Sequence, residues 1–199
     1  MVTKEQAFEI FGPHLADLNA TVLSAFSRYE AGASSLIPAF NPTTKANVLS
    51  CLIKEEQRKA FGGRKQVAVI ENAGTFFLEF DGGLLLWTKK LNRSLLSSNN
   101  ETAQSNLLKA NSGLLPDFLP GQHMIILGYR VDMFWSSVQD VYLTCPDGSK
   151  SNFWTSRIDA VESHQQLVFD LPVQDDVAEV AVRIKADAVA VRRKAAGNE

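Results

Sequence analysis

Cysteine is almost absent from this chain: two residues in 199, Cys51 and Cys145. A disulfide framework needs more cysteines and a secretory context, so that class of fold is excluded. Charge of one sign is missing as well. Twenty Lys and Arg stand against 22 Asp and Glu, a formal net charge of -2, so no global field draws the molecule onto nucleic acid, although room remains for local basic patches. No apolar run approaches the roughly 18 residues that cross a bilayer. The opening MVTKEQAFEIFG carries acidic residues early and lacks an apolar stretch of signal-peptide length. These absences predict a soluble, cytoplasmic protein with reduced thiols and no membrane partner. In that setting the Asn-x-Ser/Thr triplets at Asn19, Asn92 and Asn100 carry no meaning.

Familiar catalytic arrangements are missing too. His14, His123 and His164 lie far apart, with no His-x-x-x-His or Cys-x-x-Cys spacing, and read as independent histidines; neither a metal nor a cofactor is expected. There is no Gly-x-Ser-x-Gly elbow, and neither cysteine has a neighbouring histidine. Cys145, just before Pro146, reads as a small core residue at a turn. Gly62-Gly63-Arg64-Lys65 lacks phosphate-loop spacing and precedes a strand, so it reads as a helix stop.

What is present is a 45% apolar composition, enough for a normal core in one domain. Phe8, Phe11, Leu15, Leu18, Val22, Phe26 and Tyr29 recur at spacings of three and four, which is one apolar helical stripe interrupted at Gly12-Pro13. A linker over residues 31–42 follows. The next helix is expected to be capped by Thr43 or Thr44 and to run to about Lys59, with Val48, Leu49, Leu52 and Ile53 inward and residues 54–59 solvated.

A β meander comes next: Gln66–Ile70, Thr75–Phe80 and Leu84–Lys89. Its runs FFLEF and LLLW are too continuously apolar for a half-solvated sheet, so part of it should be covered on both faces, by the N-terminal helices. A short helix over Glu101–Ala110, a strand His123–Val131, a hairpin turning at Pro146-Asp147-Gly148 and a strand Gln166–Leu171 complete the reading. The last segment fits either helix or strand. The expected fold is α+β, with N-terminal helices packed on a mainly antiparallel sheet of about six or seven strands. It divides into a helical segment 1–62, a β-rich core 63–172 and a C-terminal extension 173–199, the whole reading as a single unit.

Two constellations compete for a function. Glu79, Asp81 and Lys89, on neighbouring strands, tempt a metal-dependent nuclease reading, yet the acidic-x-Lys spacing such nucleases use is missing. The stronger constellation is basic and aromatic: Lys89, Lys90 and Arg93 after the third strand, with Tyr129, Arg130, Phe134 and Trp135 beside them. In an antiparallel meander Arg64 and Lys65 would join the same sheet end. Aromatics among cations suit single-stranded nucleic acid and equally a protein partner; the slightly negative net charge favours protein.

The segments LWTKKL (86–91), LGYRVD (127–132) and DVYLTCPDG (140–148) resemble a group of small bacterial proteins that accompany ImmA/IrrE-type metallopeptidases in toxin–antitoxin-like or phage-defence operons. The likeness spans roughly 64–172 and its motifs are structural. It implies a partner of such a peptidase, since this chain has no His-Glu-x-x-His of its own. The expectation is therefore a non-enzymatic interaction module, the neutralising or regulatory member of a bacterial two-component system; the alternative is a metal-dependent nuclease or nucleic-acid-binding protein.

Overall fold

Helix formation begins at a side-chain cap. Thr3 Oγ1 accepts from the Gln6 amide at 3.3 Å while Gln6 Oε1 accepts from the Thr3 amide at 3.0 Å, a reciprocal capping box that starts α1 (Lys4–Phe11). Pro13 then forces a 3₁₀ turn, Gly12–His14, before α2 (Leu15–Ala33). A second 3₁₀ turn, Ile37–Ala39, leads to α3 (Pro42–Phe61). Asn41, rather than Thr43 or Thr44, caps α3, its Oδ1 accepting from the Thr44 amide at 2.8 Å. Pro42 decides this: its fixed φ and missing N–H suit the first helical position, which makes the residue before it the cap. Gly62 ends the helix as expected.

The computed structural model describes residues 2–33, 36–72, 75–81, 83–97, 106, 109–110, 122–148 and 150–159. The chain divides into a unit Met1–His164 and a second, Gln165–Glu199. His164, the strand at Gln166–Leu171 and the ambiguous last segment lie outside the described residues. Of the short helix expected over Glu101–Ala110, Asn106 and Lys109 are helical and the rest lies outside them, Ala110 apart.

The first unit holds a six-stranded sheet in sequential order: β1 (Val67–Asn72), β2 (Thr75–Phe80), β3 (Leu84–Lys90), β4 (His123–Val131), β5 (Val138–Asp147) and β6 (Ser151–Arg157). All neighbours run antiparallel except β3 and β4, which pair in parallel from Leu84↔His123 to Lys90↔Tyr129. This is the α+β fold the pattern predicted, with one parallel pair. β5 and β6 are the hairpin, turning through Gly148 at φ 70°, a left-handed position that glycine takes without a Cβ clash.

The strands divide the apolar residues by parity. Phe76, Leu78, Phe80, Leu84, Leu86, Ile125, Leu127 and Tyr129 join α1, α2 and α3 in the main core. There Phe80 packs edge-on against Phe11 (4.9 Å between ring centroids) and Phe61 (5.9 Å), with His14 5.2 Å away. Phe77, Leu85, Trp87 and Met124, one residue out of phase, form a separate buried cluster on the opposite face. FFLEF and LLLW are thus buried on both faces, as predicted. The N-terminal helices cover only one of them, because residues one step apart on a strand face opposite ways.

Gly128 shows how tightly the centre is filled. A Cβ placed there would lie 2.2 Å from Leu91 Cδ1. Gly128→Ala is therefore expected to cost about 1–3 kcal/mol by overpacking, read as a lower urea midpoint at unchanged slope.

Candidate functional site

Parallel pairing of β3 with β4 carries the ends of both strands to one end of the sheet, and the predicted basic and aromatic residues gather there. Lys89 sits beside Gly128 and Lys90 beside Tyr129. The chain continues through Leu91, whose amide donates to the Tyr129 carbonyl at 2.9 Å, into exposed Arg93. Arg130 pairs with Asp140 at 3.4 Å across β4 and β5, and Arg157 of β6 reaches the same carboxylate at 3.0 Å. Arg64 and Lys65 do not join this group. They precede β1, and with β2 reversed between them β1 and β3 run the same way, so the start of one and the end of the other lie at opposite sheet ends. Arg64 instead pairs with Asp17 at 2.7 Å and stacks on Phe61.

The aromatics of the constellation split between core and surface. Tyr129 is buried in the main cluster, and desolvation pushes its hydroxyl pKa well up. Trp135 is only 7% exposed, 6.1 Å from the Tyr29 ring, with the Lys90 ammonium 4.4 Å from its own ring centroid. Neither is a surface anchor. Phe134 is 76% exposed, and so is its neighbour Met133, at 78%.

The β4–β5 connection produces that split. Asp132 organises it: its carboxylate accepts from the Ser136 amide at 2.6 Å, the Ser137 amide at 3.3 Å and the Ser136 hydroxyl, while its backbone bonds Trp135 and Ser137. The Ser136 hydroxyl is the largest influence holding the Asp132 carboxyl below its usual range, and the backbone amides act the same way. Trp135 takes φ 60° there, a rare conformation for a bulky residue, and this turns its side chain inward and leaves Met133 and Phe134 outward. Met133 and Asp132 were not singled out from the sequence. The Asp-x-x-x-Ser-Ser spacing, an aspartate able to bond backbone just ahead of it, was the available signal.

Glu79, Asp81 and Lys89 are not brought together. Glu79 pairs with Leu85 across β2 and β3 and accepts a hydrogen bond from Gln122, whereas Lys89 lies four residues further along β3. At roughly 3.3 Å per residue this separation is about 13 Å, too far for one metal and one attacking water. Glu79 and Asp81 line an open groove of about 500 Å³ with Arg64, Lys65 and Gln66 at the other sheet end. Among the described residues, no three His, Cys, Asp or Glu side chains are grouped to hold a metal ion, and no helix is long and apolar enough to cross a membrane.

A second polar group lies where α3 meets the end of β3. Gln57, placed in a stretch expected to be solvated, is buried and donates to Thr88 Oγ1 at 2.7 Å. The spacing held the signal: Leu49, Ile53, Gln57 and Phe61 are four apart and share the buried face of α3. Lys89 lies 3.7 Å from the Trp87 ring centroid. Desolvation above all, with the charges of Lys54 and Lys109, lowers its pKa to about 8. Lys90 is shifted down by desolvation as well.

No protein-family model, curated protein or solved structure matches the chain. Function must therefore be argued from the geometry.

Proposed function

We propose that this protein is a non-enzymatic interaction module that docks a protein partner through the β4–β5 turn. Met133 and Phe134 supply the apolar contacts, and Lys90, Arg93 and Arg130 form the cationic rim. The observation that carries the reading is the adjacent pair of large apolar side chains, 78% and 76% exposed, on a turn pinned by Asp132. An isolated exposed apolar residue needs no explanation. Two side by side on a backbone held at a strained φ are a preorganised contact, which loses little entropy when it binds. Trp135, part of the same constellation in the sequence, supports the turn from beneath, whereas Lys89 lies over Trp87 on the opposite face of the sheet.

On the resemblance of LWTKKL, LGYRVD and DVYLTCPDG, the partner proposed is an ImmA/IrrE-type metallopeptidase, with this chain as the neutralising or regulatory member of a bacterial toxin–antitoxin or defence pair. The test is affinity capture of the tagged protein from its host with nuclease treatment, beside the variant Met133→Ser/Phe134→Ser. The expected result is one stoichiometric peptidase partner, held at least about 30-fold more weakly by the variant, with the melting temperature unchanged. Equal capture by both proteins, or recovery of nucleic acid in place of protein, would reject the reading.

A further inference from the structure

His14, the last residue of the 3₁₀ turn between α1 and α2, is only 8% exposed. Its ring centroid lies 5.2 Å from that of Phe80, the last residue of β2, and 6.1 Å edge-on from that of Phe61, the last residue of α3. One imidazole thus touches both the strand and the helix on which the α1–α2 joint rests. Arg64, which lines the open groove at this sheet end, closes the cluster. Its guanidinium stacks on Phe61 at 4.7 Å, pairs with Asp17 at 2.7 Å and comes within 3.5 Å of His14 Nδ1.

A guanidinium can only donate, so its contact with Nδ1 is attractive only while that nitrogen keeps its lone pair. The neutral ring then carries its proton on Nε2. Protonation sets a hydrogen on Nδ1, facing a permanent cation, within an aromatic enclosure. Burial is the largest influence holding the His14 pKa below its ordinary value, and Arg64 acts the same way. Asp17 opposes them, but its carboxylate is engaged with Arg64. The remaining charges of the packed elements are turned elsewhere. Lys4, Glu5 and Glu9 of α1 are exposed. At the end of α3, Arg58 pairs with Glu71, and Lys59 with Glu55 and Glu56. Glu79 and Asp81, either side of Phe80, line the groove with Lys65.

We propose that His14 and Arg64 form an acid-sensitive latch: the neutral imidazole holds the α1–α2 joint against β2 and the end of α3, and its protonation loosens that joint. By linkage, the unfolded chain takes up a proton near pH 6.5 that the folded chain resists. The stability this histidine contributes is therefore complete above that value and is lost as pH falls below it. Ordinary carboxylates stay mostly ionised down to about pH 5, which leaves the window from about 7.5 to 5.5 to histidine. The joint in question carries Ala7 and Phe11 of α1 and Leu15 and Leu18 of α2, all buried in the main core. The latch is separate from the β4–β5 turn and does not depend on the docking reading.

The test is a histidine NMR titration of the full chain between about pH 8 and 5, joined to amide hydrogen exchange at about pH 7.5 and 5.5. It compares the native protein with His14→Phe and Arg64→Gln. His14 is expected to titrate below 6.5, and Arg64→Gln to move it upward. Protection of the Phe11 and Leu15 amides, corrected for the intrinsic pH dependence of exchange, should fall by about threefold or more in the native protein. It should hold in His14→Phe, where an aromatic ring fills the space without a charge. His123, whose pKa burial also lowers, is common to both proteins and cancels. If His14→Phe does not fold, the titrations of the native protein and Arg64→Gln decide the matter alone. A His14 pKa at or above 6.5, a pKa that Arg64→Gln leaves unchanged, or an equal fall in protection in native protein and His14→Phe would overturn the proposal.

Discussion

Trp135→Ala is expected to destabilise the protein by about 3–5 kcal/mol, the range for removing a buried aromatic side chain. For a folded unit of this size that corresponds to a fall in melting temperature of roughly 6–20 °C. Trp135 is 7% exposed, belongs to the main core, lies against Tyr29 and carries the Lys90 ammonium over its ring. Phe134→Ala, one residue away, removes a side chain that is 76% exposed and should change stability by no more than about 0.5 kcal/mol. The backbone gives the pair an internal control. At φ 60° alanine is strained and glycine is not, so Trp135→Gly should be less damaging than Trp135→Ala by about 1 kcal/mol, the reverse of their usual order. Thermal melts of the three variants would measure all of this. Equal losses for Trp135→Ala and Phe134→Ala would show that the turn does not bury its tryptophan.

Stability should also rise with pH above neutrality, and Lys89 is the reason. Its folded-state pKa of about 8 lies below the ordinary lysine value of 10.5, because desolvation and the charges of Lys54 and Lys109 disfavour the ammonium form. Below pH 8 the lysine is charged in both states, and the folded protein bears the full cost, roughly 3 kcal/mol by linkage. Between about 8 and 10.5 the unfolded chain retains a proton that the folded chain releases. Stability therefore increases with pH across that window. Lys90, shifted the same way, adds to the slope. Tyr29 and Tyr129, whose hydroxyls desolvation pushes up, oppose it near pH 10 and above, where the unfolded chain loses their protons first. The clean window is thus about pH 8 to 10. Urea midpoints in phosphate-free buffer should climb through it for the native protein. For Lys89→Met they should start higher and rise less. Parallel curves for the two proteins would show that Lys89 is not desolvated.

The candidate site was legible in the sequence by membership more than by role. Lys89, Lys90, Arg93, Tyr129, Arg130, Phe134 and Trp135 do gather at one sheet end, since the pairing of β3 with β4 ends at Lys90 and Tyr129. Which of them face water was not legible. A tryptophan between a phenylalanine and two serines reads as a surface aromatic until the left-handed backbone at Trp135 reverses its direction. The placement of Arg64 and Lys65 with this group failed on strand parity: an intervening antiparallel strand puts the start of β1 and the end of β3 at opposite ends. The charge run 54–59 hid Gln57 and Lys54, because polar residues on the inner face of a helix look solvated until the face is located from Leu49, Ile53 and Phe61.

Local chemistry determined the elements. Pro13 divided α1 from α2, Gly62 ended α3, the alternation around Pro146-Asp147-Gly148 made the β5–β6 hairpin, and the bounds of β4 were readable residue by residue. The unbroken apolar runs of β2 and β3 established that this part of the sheet is buried on both faces. Only the tertiary structure decided which residues became neighbours: the parallel approach of β4 to β3, the inward Trp135 beneath an outward Met133 and Phe134, and Lys54 of α3 beside Lys89 of β3. Caps, turns and periodicity act over a few residues and are written in sequence order. Strand pairing and the charge environment of Lys89 depend on residues tens of positions apart, and no local pattern specifies their distance.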